Sequence, residues 1–570
     1  MNTKNITLVL DDNRRLTGKN LLSDHPGAII DAFVDGIDKQ YVVDVWQSFV
    51  KKILTAINWS NEQTYSRIFE DGISIAISAP IDALYVACDI NEMAWQLTCE
   101  QLNQKDHAES IVQIVERLKQ TILDEVNPHL LGLMALAKQN HVVALVDDDE
   151  FSLGYGVTSQ SWPIDILPKI SSINWSQYKA IPLAYVTGTN GKSTSVRIMS
   201  QIIKQAGKIC GVTSTDFIRV GDEIIDYGDY SGPGGARMLL RHPNTEMAVL
   251  EVARGGLLRR GLPIDSVDAA LITNVAEDHL GQYGINTVAA LAQAKALVAK
   301  GLAGNDQGKL VLNADDENLV ALAPELLVNK CWFSLHEANK TIQQHRKTGG
   351  AVCFVRNQQI IYVDNNEESI IVAVNDIPMT LDGAAQHNVQ NALGAVGLAK
   401  CFHIDNQAIK SALKQFASNI DDNPGRGNQF SVHNAQVIMD FAHNVHSMEA
   451  MAKTTANMPG ERKFLMLGHA GDRSDLEIIN LTETALSMKP DYIVVTEVEA
   501  YLRGRELGEV PKLIADTAIK NGVDTKNIYF SDRPFTGAKH IVDQLKTNDL
   551  ALLMVLADRD EIVKLLTENS

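Results

Sequence analysis

The sequence predicts an α/β protein built from mainly parallel sheets with helices on both faces. Three observations predict this class. Short apolar runs alternate with helical stretches from about residue 179 to 425. A second alternation of the same kind occupies about 426–570. A glycine-rich turn, TGTNGKST at 187–194, joins an apolar strand to a helix.

The length of 570 residues predicts several domains, at roughly 150 residues per domain. We assign an N-terminal α/β domain to 1–175, a central domain to 176–425 and a C-terminal domain to 426–570. The composition, 45% hydrophobic and 21% charged, is that of soluble globular proteins. A formal charge of −19 argues against nucleic acid as a partner and favours a cationic or amine substrate.

Cysteine spacing and hydropathy bound the compartment. Six scattered cysteines without C-x-x-C spacing disfavour a disulfide framework and a zinc site. Residues 1–7 lack the apolar core of a signal peptide. Apolar runs stay below the roughly 18 residues that span a bilayer. We therefore expect a cytoplasmic protein that does not enter a membrane.

The N-terminal region reads as mixed α/β without a catalytic constellation. We predict strands at 27–34, 40–45, 73–79 and 141–146, with helices at 81–104 and 106–139, the second interrupted near Pro128. The acidic stretch 147–150 is predicted as a turn. Serines and prolines in 157–178 predict a linker.

The central and C-terminal regions repeat strand and helix in turn. Central strands are predicted at 183–186, 209–213, 247–251, 269–273 and 309–313, followed by a β-rich excursion at 351–355, 360–363 and 370–374. Helices are predicted at 384–401 and 406–417. After a Pro-Gly turn at 421–427, strands follow at 437–440, 463–467, 492–496, 528–530 and 552–555.

The turn at 187–194 has the geometry that cradles a phosphate. Backbone N–H groups and the positive end of the helix dipole point at the anion. Lys192 would reach the outer phosphates, and Ser193, or alternatively Thr194, would place a hydroxyl on Mg²⁺. The generic phosphate-loop pattern is incomplete because its first glycine falls at Val186. A glycine-rich turn with a solvated lysine is the alternative.

Polar residues follow two further strands of the central sheet. Glu251 closes the strand 247–251, and Asp278 and His279 follow the strand 269–273. Because ligands in open parallel sheets lie beyond the carboxyl ends of the strands, we expect these side chains to share one cleft. Glu251 and His279 could supply ligands to Mg²⁺. Histidine is an unusual ligand for this ion, so His279 taken alone fits a hydrogen-bonding role.

In chain order these motifs resemble the Mur ligase superfamily. The matching residues are the 187–194 turn, Glu251, NVAEDH at 274–279, Lys295, NADD at 313–316, HNVQN at 387–391, PGR at 424–426 and DFAHN at 440–444. Val445 stands where the family usually has proline. Segments 231–238, 250–262, 471–475 and 502–505 resemble the Mur-ligase-like part of cyanophycin synthetases.

The resemblance implies a three-domain architecture with a central P-loop ATPase domain, a C-terminal Rossmann-like domain and an ATP-dependent ligase activity. A carboxylate would become an acyl phosphate and be captured by an amine. The implied ATP and Mg²⁺ residues are Thr189, Asn190, Gly191, Lys192, Ser193, Thr194, Glu251, His279, a carbamylated Lys295, Asn388 and Asn391 for adenine, Arg426 for phosphates and Asp440 for ribose.

The resemblance also suggests substrates. An aspartyl or cyanophycin-like peptide would be the acceptor, and an amino acid such as arginine the amine. Arg254, Arg259 and Arg260 are expected to meet an anionic acceptor. In the C-terminal region we expect a cationic amine at Asp472, Asp475, Glu497 and Glu499, and a carboxylate at Arg503 and Arg505. Surface charge is the alternative for each of these residues.

Two rival functions remain open from sequence. Cyanophycin synthetases carry an ATP-grasp domain before the Mur-like part, for which residues 1–175 are too few. The chain could therefore act with a separate ATP-grasp protein, as a split synthetase or a non-catalytic subunit. A cell-wall precursor ligase is the other rival, although the N-terminal region shows no nucleotide-sugar signature. The oligomeric state stays open, and a homo-oligomer is compatible with the sequence.

Overall fold

The computed structural model describes residues 6–456 and 458–570 of the chain. The prediction that the chain lacks a signal peptide rests mainly on residues 1–5, which lie outside the described residues. Within the described ranges, no helix combines the length and the apolar character needed to cross a bilayer.

An antiparallel sheet with the strand order β1-β2-β4-β3 opens the described chain. The elements of this region are β1 (Thr7–Leu16), β2 (Gly27–Asp35), α1 (Lys39–Ala56), β3 (Thr64–Phe69), β4 (Gly72–Ser78), α2 (Leu84–Leu102) and α3 (Ile111–Glu125). Alternation along β4 turns Ile73, Ile75 and Ile77 towards the helices, in one apolar core. The opposite face, with Ser74, is left for other contacts.

The strand predicted at 40–45 is wrong, because these residues form the start of α1. The side chain of Asp38 caps the helix by accepting a hydrogen bond from the Tyr41 N–H. Val42, Trp46 and Phe49 then recur at helical spacing and are buried. Packing of that apolar stripe outweighs the β propensity of the local valines.

A small antiparallel sheet follows, and it corrects the predicted linker at 157–178. Its region contains α4 (Pro128–Gln139), β5 (Ala144–Val146), β6 (Glu150–Leu153) and β7 (Gln160–Pro163). The rings of Phe151 and Trp162 stack with their centroids 6.2 Å apart. Tyr178 is buried in the same core. Aromatic packing therefore orders a segment whose serines and prolines predicted a linker.

The interruption predicted near Pro128 in the helix at 106–139 is confirmed, since α3 ends at Glu125 and α4 begins at Pro128.

The central sheet has the strand order β11-β10-β9-β12-β8-β13-β14-β15-β16-β17-β18 in the described part of the chain. Its strands are β8 (Leu183–Thr187), β9 (Cys210–Thr213), β10 (Phe217–Val220), β11 (Glu223–Tyr227), β12 (Met247–Glu251), β13 (Ala269–Ile272), β14 (Lys309–Asn313), β15 (Asn329–Ser334), β16 (Ala351–Arg356), β17 (Gln359–Asp364) and β18 (Glu367–Ala373). Pairing is parallel from β9 to β16 and antiparallel at both ends.

The β-rich excursion predicted at 351–374 continues the parallel sheet, to which the unpredicted strand β15 joins it. Helices cover both faces of the sheet, as two apolar cores. The helices are α5 (Lys192–Gln205), α6 (Pro233–Arg241), α7 (Arg254–Arg260), α8 (Val288–Ala296), α9 (Glu317–Leu322), α10 (Lys340–Lys347), α11 (Gln386–Cys401) and α12 (Asn406–Gln415).

The C-terminal sheet has the order β19-β20-β24-β21-β22-β23 and is parallel except for β19. Its elements are β19 (Asn428–Val432), β20 (Ala435–Asp440), α13 (Val445–Ala456), β21 (Lys463–Leu467), α14 (Asp475–Leu486), β22 (Tyr492–Thr496), α15 (Glu509–Lys520), β23 (Ile528–Ser531), α16 (Pro534–Val542), β24 (Leu550–Met554) and α17 (Arg559–Glu568). The predicted α/β class with parallel sheets is confirmed. The domain boundaries at 175/176 and 425/426 stay predictions.

Candidate active site

A cavity of about 780 Å³ lies where the central and C-terminal sheets face each other. Strand β8 is flanked by β12 and β13 in parallel, so the carboxyl ends of these three strands meet at one edge. The C-terminal region closes the other side. The cavity is lined by all of the residues predicted to bind ATP and Mg²⁺: Thr189, Asn190, Gly191, Lys192, Ser193, Thr194, Glu251, His279, Lys295, Asn388, Asn391, Arg426 and Asp440.

Two glycines give the 187–194 turn its tight path. Gly188 has φ 150°, and a Cβ there would lie 1.9 Å from Thr273 Oγ1. Gly191 has φ 81°, and its added Cβ would lie 2.2 Å from Asn391 Oδ1. Larger residues at either position would push the turn away from its supports. The Lys192 ammonium donates to the Thr189 carbonyl at 3.0 Å, so it is held over the turn and is not simply solvated.

Glu251 is a carboxylate that this protein leaves without a partner. It is 1% exposed, and neither carboxylate oxygen has a hydrogen-bond partner within the described residues. Burial raises the pKa of Glu251, whereas the Lys192 charge and the nearby Ser193 hydroxyl lower it. The Ser193 hydroxyl is near Glu251 but lies outside hydrogen-bond geometry. A buried, unpaired carboxylate is destabilising unless a cation or a hydrogen-bond donor pairs with it.

The hydroxyls next to Glu251 differ in availability. Thr194 Oγ1 accepts a hydrogen bond from Asn423 Nδ2 at 3.2 Å. Ser193 Oγ has the weaker contact, 3.4 Å to Thr215 Oγ1. Of the two predicted hydroxyl ligands for Mg²⁺, Ser193 is therefore freer to turn towards a cation. Mg²⁺ is usually bound by few protein ligands together with phosphate and water, and the Glu251 carboxylate with the Ser193 hydroxyl fits that coordination.

The described residues contain no group of three or more His, Cys, Asp or Glu side chains arranged to hold a metal ion. A cation at Glu251 would thus depend on ligands from a bound phosphate as well as from the protein. This matches a site in which metal and nucleotide bind together and not a preformed metal centre.

Lys295 is buried at the opposite wall. It is 4% exposed, and its ammonium donates to the Gly188 carbonyl at 2.7 Å. Burial, with Lys192 and Arg254 nearby, holds the pKa of Lys295 well below its usual range. Lys295 is therefore a buried lysine with a hydrogen-bond partner, and its burial disfavours the charged form of the amine.

His279 and Asp278 meet an arginine from the C-terminal region. The Arg473 guanidinium donates to His279 Nε2 at 3.2 Å and to Asp278 Oδ1 at 3.3 Å. Because arginine has no acceptor, Nε2 of His279 accepts this bond. Burial lowers the pKa of His279, in keeping with a ring nitrogen that accepts a hydrogen bond. The predicted metal-binding nitrogen is therefore engaged in a hydrogen bond here, the alternative role considered for His279.

The predicted nucleotide side is pre-packed. Asn388 Nδ2 donates to the Met379 carbonyl at 2.9 Å, and Asn391 Nδ2 donates to Asn388 Oδ1 at 3.2 Å. The guanidinium of Arg426 lies 4.8 Å from the centre of the Phe441 ring. Burial raises the pKa of Asp440 to about 6.

The C-terminal region touches the phosphate turn directly. Asn190 and Asn444 exchange amide hydrogen bonds of 3.2 and 3.0 Å, and Asn190 Nδ2 lies 2.9 Å from His446 Nδ1. Asn423 also donates to the helix that begins with Lys192, at Thr194. Sequence reasoning did not assign roles to Asn423, His446 or Arg473. Asn444 ends the DFAHN motif and Arg473 lies in the segment 471–475, so these two family-like motifs were the sequence signal for both residues.

The predicted substrate arginines separate in space. Arg254 donates to the His279 carbonyl and to Gln282 Oε1, both at 2.6 Å, and Arg259 lines the cavity. The prediction for Arg260 is wrong. Its guanidinium donates to the Arg15 carbonyl of β1 at 3.1 Å, and Arg260 is not among the residues that line the cavity.

Most predicted charges of the C-terminal region serve the fold. Asp472 and Arg503 line the cavity but pair with each other. Asp475 pairs with Arg505 at 2.7 Å. The buried Glu497 accepts the Gly508 N–H at 2.7 Å, at the start of α15. The predictions for Asp475, Glu497 and Arg505 as substrate ligands are therefore wrong, and Glu499 lies outside the lining of the cavity.

A smaller acidic cavity of about 240 Å³ adjoins the first and shares His443 and His446 with it. Its wall includes Glu277, Glu449 and Glu477 together with Arg473, which pairs with Glu477.

Comparisons with known proteins match the same parts of the chain. The family model for the Mur ligase middle domain matches residues 186–399, and that for the Mur ligase glutamate ligase domain matches 425–555. Cyanophycin synthetase of Nostoc sp. is 36% identical over 334 residues, 59% of this chain and 37% of that protein. The match therefore spans little more than a third of the relative's length.

A second relative is UDP-N-acetylmuramoyl-L-alanyl-D-glutamate–2,6-diaminopimelate ligase of Listeria monocytogenes. It is 26% identical over 312 residues, 52% of this chain and 59% of that protein. Among solved structures, E. coli FolC in complex with ADP superposes with a TM-score of 0.49 at 16% identity. The superposition covers 68% of this chain and 90% of that one.

Proposed function

We propose that this chain, which belongs to the Mur ligase family, is an ATP-dependent ligase that joins a carboxylate to an amine with release of ADP and phosphate. The observation that carries the proposal is Glu251, buried with both oxygens unpartnered, in one cavity with Lys192 and Ser193. A carboxylate in that position fits a cation held against the phosphates of a nucleotide.

The chain's own residues would act mainly by positioning and by charge. N–H groups of the turn and the start of α5 would hold the phosphates, and Lys192 would neutralise the transferring group. Asn388 and Asn391 would face adenine, Asp440 the ribose and Arg426 the phosphates. Glu251 and Ser193, with His279 and Lys295 near, would hold Mg²⁺, which would offset the charge of the γ-phosphate.

The proposed reaction has two steps. An oxygen of the acceptor carboxylate attacks the γ-phosphorus. The bond between the γ-phosphorus and the β–γ bridging oxygen breaks, so that ADP departs and the acceptor becomes an acyl phosphate. The amine nitrogen then attacks the acyl carbon, phosphate departs with the C–O electron pair, and the nitrogen loses a proton. The contacts of Asn190 with Asn444 and His446 support a closed arrangement that keeps water from the acyl phosphate.

The proposed substrates are an aspartyl or cyanophycin-like acceptor and a cationic amino acid such as arginine. Arg254 and Arg259 give the acceptor side of the cavity positive charge, and Arg254 is held at the His279 carbonyl. The carboxylates of Glu277 and Glu449 in the adjoining cavity would attract a cationic amine.

A panel of substrate pairs tests this proposal. Phosphate release from Mg·ATP is measured with polyaspartate, a short aspartyl–arginine peptide or a muramoyl peptide as acceptor. The amine is arginine, lysine, alanine or diaminopimelate. We expect release with an aspartyl acceptor and a cationic amine. Release restricted to the muramoyl peptide would identify a cell-wall precursor ligase, and no ATP consumption with any pair would refute the ligase proposal.

A separate ATP-grasp protein as partner stays a prediction, as does a homo-oligomer. The split-synthetase arrangement requires that this chain be inactive by itself with every pair and active after an ATP-grasp protein is added. We propose the same domain bounds as from sequence, with residues 1–175 as a substrate-side or partner-side domain.

Lys295 is proposed to carry a carbamate, formed when its uncharged amine attacks CO₂ and loses a proton. We expect bicarbonate removal to lower wild-type activity, because a neutral amine is a poor partner for a cation whereas a carbamate is an anion. Intact-peptide mass spectrometry under native pH should show the added carbamate on Lys295. Lys300→Ala is the control variant, because Lys300 pairs with the exposed Asp24. Its activity should depend on bicarbonate in the same way as that of wild type. Full activity without CO₂ would contradict the assignment.

A further inference from the structure

A chain of polar side chains crosses the N-terminal sheet, with one residue from each strand. Arg14 on β1 pairs with Asp31 on β2 at 2.7 Å. Ser74 on β4 donates to Asp31 at 2.5 Å, and Arg67 on β3 donates to Ser74 at 3.2 Å. Asp31 opposes Ser74, and Ser74 opposes Arg67, in the strand register. We call these four residues the arginine ladder.

The arginine ladder lies on the face of the sheet that points away from α1 and α2. Arg14 is 7% exposed and Asp31 2%. Arg14 pairs directly with Asp31 and with Asp12, whereas Arg67 reaches Asp31 through Ser74. Burial lowers the pKa of Arg67. Buried ionic groups are seldom the most stable way to fill a core, so stability alone does not account for the ladder.

Both arginines reach across to the walls of the large cavity. Arg67 donates to the carbonyls of Tyr283, at 2.5 Å, and Gly284, at 3.0 Å. Arg14 donates to the Leu258 carbonyl of α7 at 3.1 Å, and its guanidinium lies 4.9 Å from the centre of the Tyr283 ring. The ladder thereby contacts the helix of Arg254 and Arg259 and the loop 279–285.

The loop 279–285 has a strained backbone at two residues that line the cavity. His279 has φ 50° and Tyr283 has φ 55°, the left-handed region that side chains other than glycine seldom adopt. Arg254 holds the carbonyl of His279, and Arg67 holds that of Tyr283. Such conformations persist where the surroundings over-determine them.

The N-terminal sheet also fits the loop by shape. Gly284 has φ 63°, and a Cβ there would lie 2.5 Å from the Phe69 ring. Phe69 ends β3, the strand that carries Arg67. Hydrogen bonds and close packing from one strand therefore fix the loop from the side opposite the cavity.

We propose that Arg67, supported through Ser74 by Asp31, is a positioning residue that holds the loop 279–285 so that His279 and Arg254 face the acceptor. The part of this inference that concerns the acceptor rests on the proposed ligase function. Through Arg67, the N-terminal region would shape the wall of the cavity that faces the acceptor without touching the nucleotide.

The test compares Arg67→Ala and Arg67→Lys with Arg117→Ala, an exposed arginine of α3 that pairs with Glu109. Hydrogen exchange of the free protein is read on a peptide covering 279–285. We expect roughly 10-fold faster exchange in Arg67→Ala, part of the protection restored in Arg67→Lys, and no change in Arg117→Ala. An unchanged exchange rate in Arg67→Ala would overturn the inference.

Kinetics supply the second readout, using the acceptor–amine pair that is active in the panel. Arg67→Ala should raise the KM for the acceptor or lower kcat by roughly 10- to 100-fold in total. The Kd for an ATP analogue measured without Mg²⁺ should stay within about twofold, because the nucleotide side is built on α5 and α11. A parallel loss of nucleotide binding, acceptor use and thermal stability would show a general folding role and refute positioning.

The two proposals fail separately. If wild-type protein consumes no ATP but Arg67→Ala frees the loop, the ligase function fails and loop positioning stands. If wild type turns over and Arg67→Ala changes neither exchange nor kinetics, the ligase function stands and positioning fails.

Discussion

Replacing Lys192 with alanine is expected to reduce ATP-dependent phosphate release by at least about 100-fold. Its ammonium is held over the 187–194 turn by the Thr189 carbonyl, inside the large cavity. At that position it would neutralise charge on the phosphoryl group during transfer, a contribution that no water molecule replaces.

The matched control is Lys204→Ala. Lys204 lies in the same helix, α5, but is exposed and pairs with Asp222 at 2.6 Å. Phosphate release by that variant should equal wild type, and the Tm of both variants should stay close to that of wild type. Comparable turnover by Lys192→Ala and wild type would remove Lys192 from the proposed mechanism.

Glu251→Gln is expected to have opposite effects on activity and stability. Activity should fall by at least about 100-fold, because an amide is a poor ligand for Mg²⁺ beside the phosphates. The nucleotide-free variant should nevertheless melt about 2–4 °C higher than wild type at neutral pH, since it no longer buries an unpaired carboxylate. Differential scanning calorimetry and phosphate release measure the two effects on one preparation.

The same carboxylate predicts a pH dependence of stability. Burial raises the pKa of Glu251 above its ordinary value of 4.5. The folded protein therefore keeps a proton at pH values where the unfolded chain has lost it. The contribution of Glu251 to stability falls as the pH rises from 4.5 through the raised value.

Tm measured against pH without nucleotide should decline more steeply in wild type than in Glu251→Gln over that window. Glu223→Gln, at an exposed position of β11, is the control and should follow wild type. Addition of a Mg·ATP analogue should raise the Tm of wild type more than that of Glu251→Gln. Identical pH curves and identical shifts would contradict the proposed cation site.

The sequence was sufficient for the α/β class and for placing the predicted ATP and Mg²⁺ residues along one cavity, while their roles stay predictions. Local signals account for this success. The strand–turn–helix around Gly191 and the position of Glu251 at the end of an apolar strand are readable within about ten residues. Because parallel strands share one edge for their carboxyl ends, residues far apart in sequence could be placed in one cleft.

Individual elements were missed where local propensity and tertiary packing disagreed. The valines at the start of α1 favour a strand by themselves, yet the buried face shared with α2 makes them helical. Trp162 and Tyr178 lie in a segment with loop composition but are ordered by an aromatic core. Nothing within these short segments specifies the partner that decides them.

By itself the sequence determined which chemical groups this protein brings to its cavity: the phosphate turn, the lysines and Glu251. The tertiary structure alone decided their states and neighbours. It left Glu251 unpaired, turned Arg260 away to β1, and joined Arg473 to His279 and Arg67 to Tyr283. These contacts span about 190 to 245 positions of the chain. Burial and pairing at such separations depend on how whole sheets dock, which no local pattern of residues encodes.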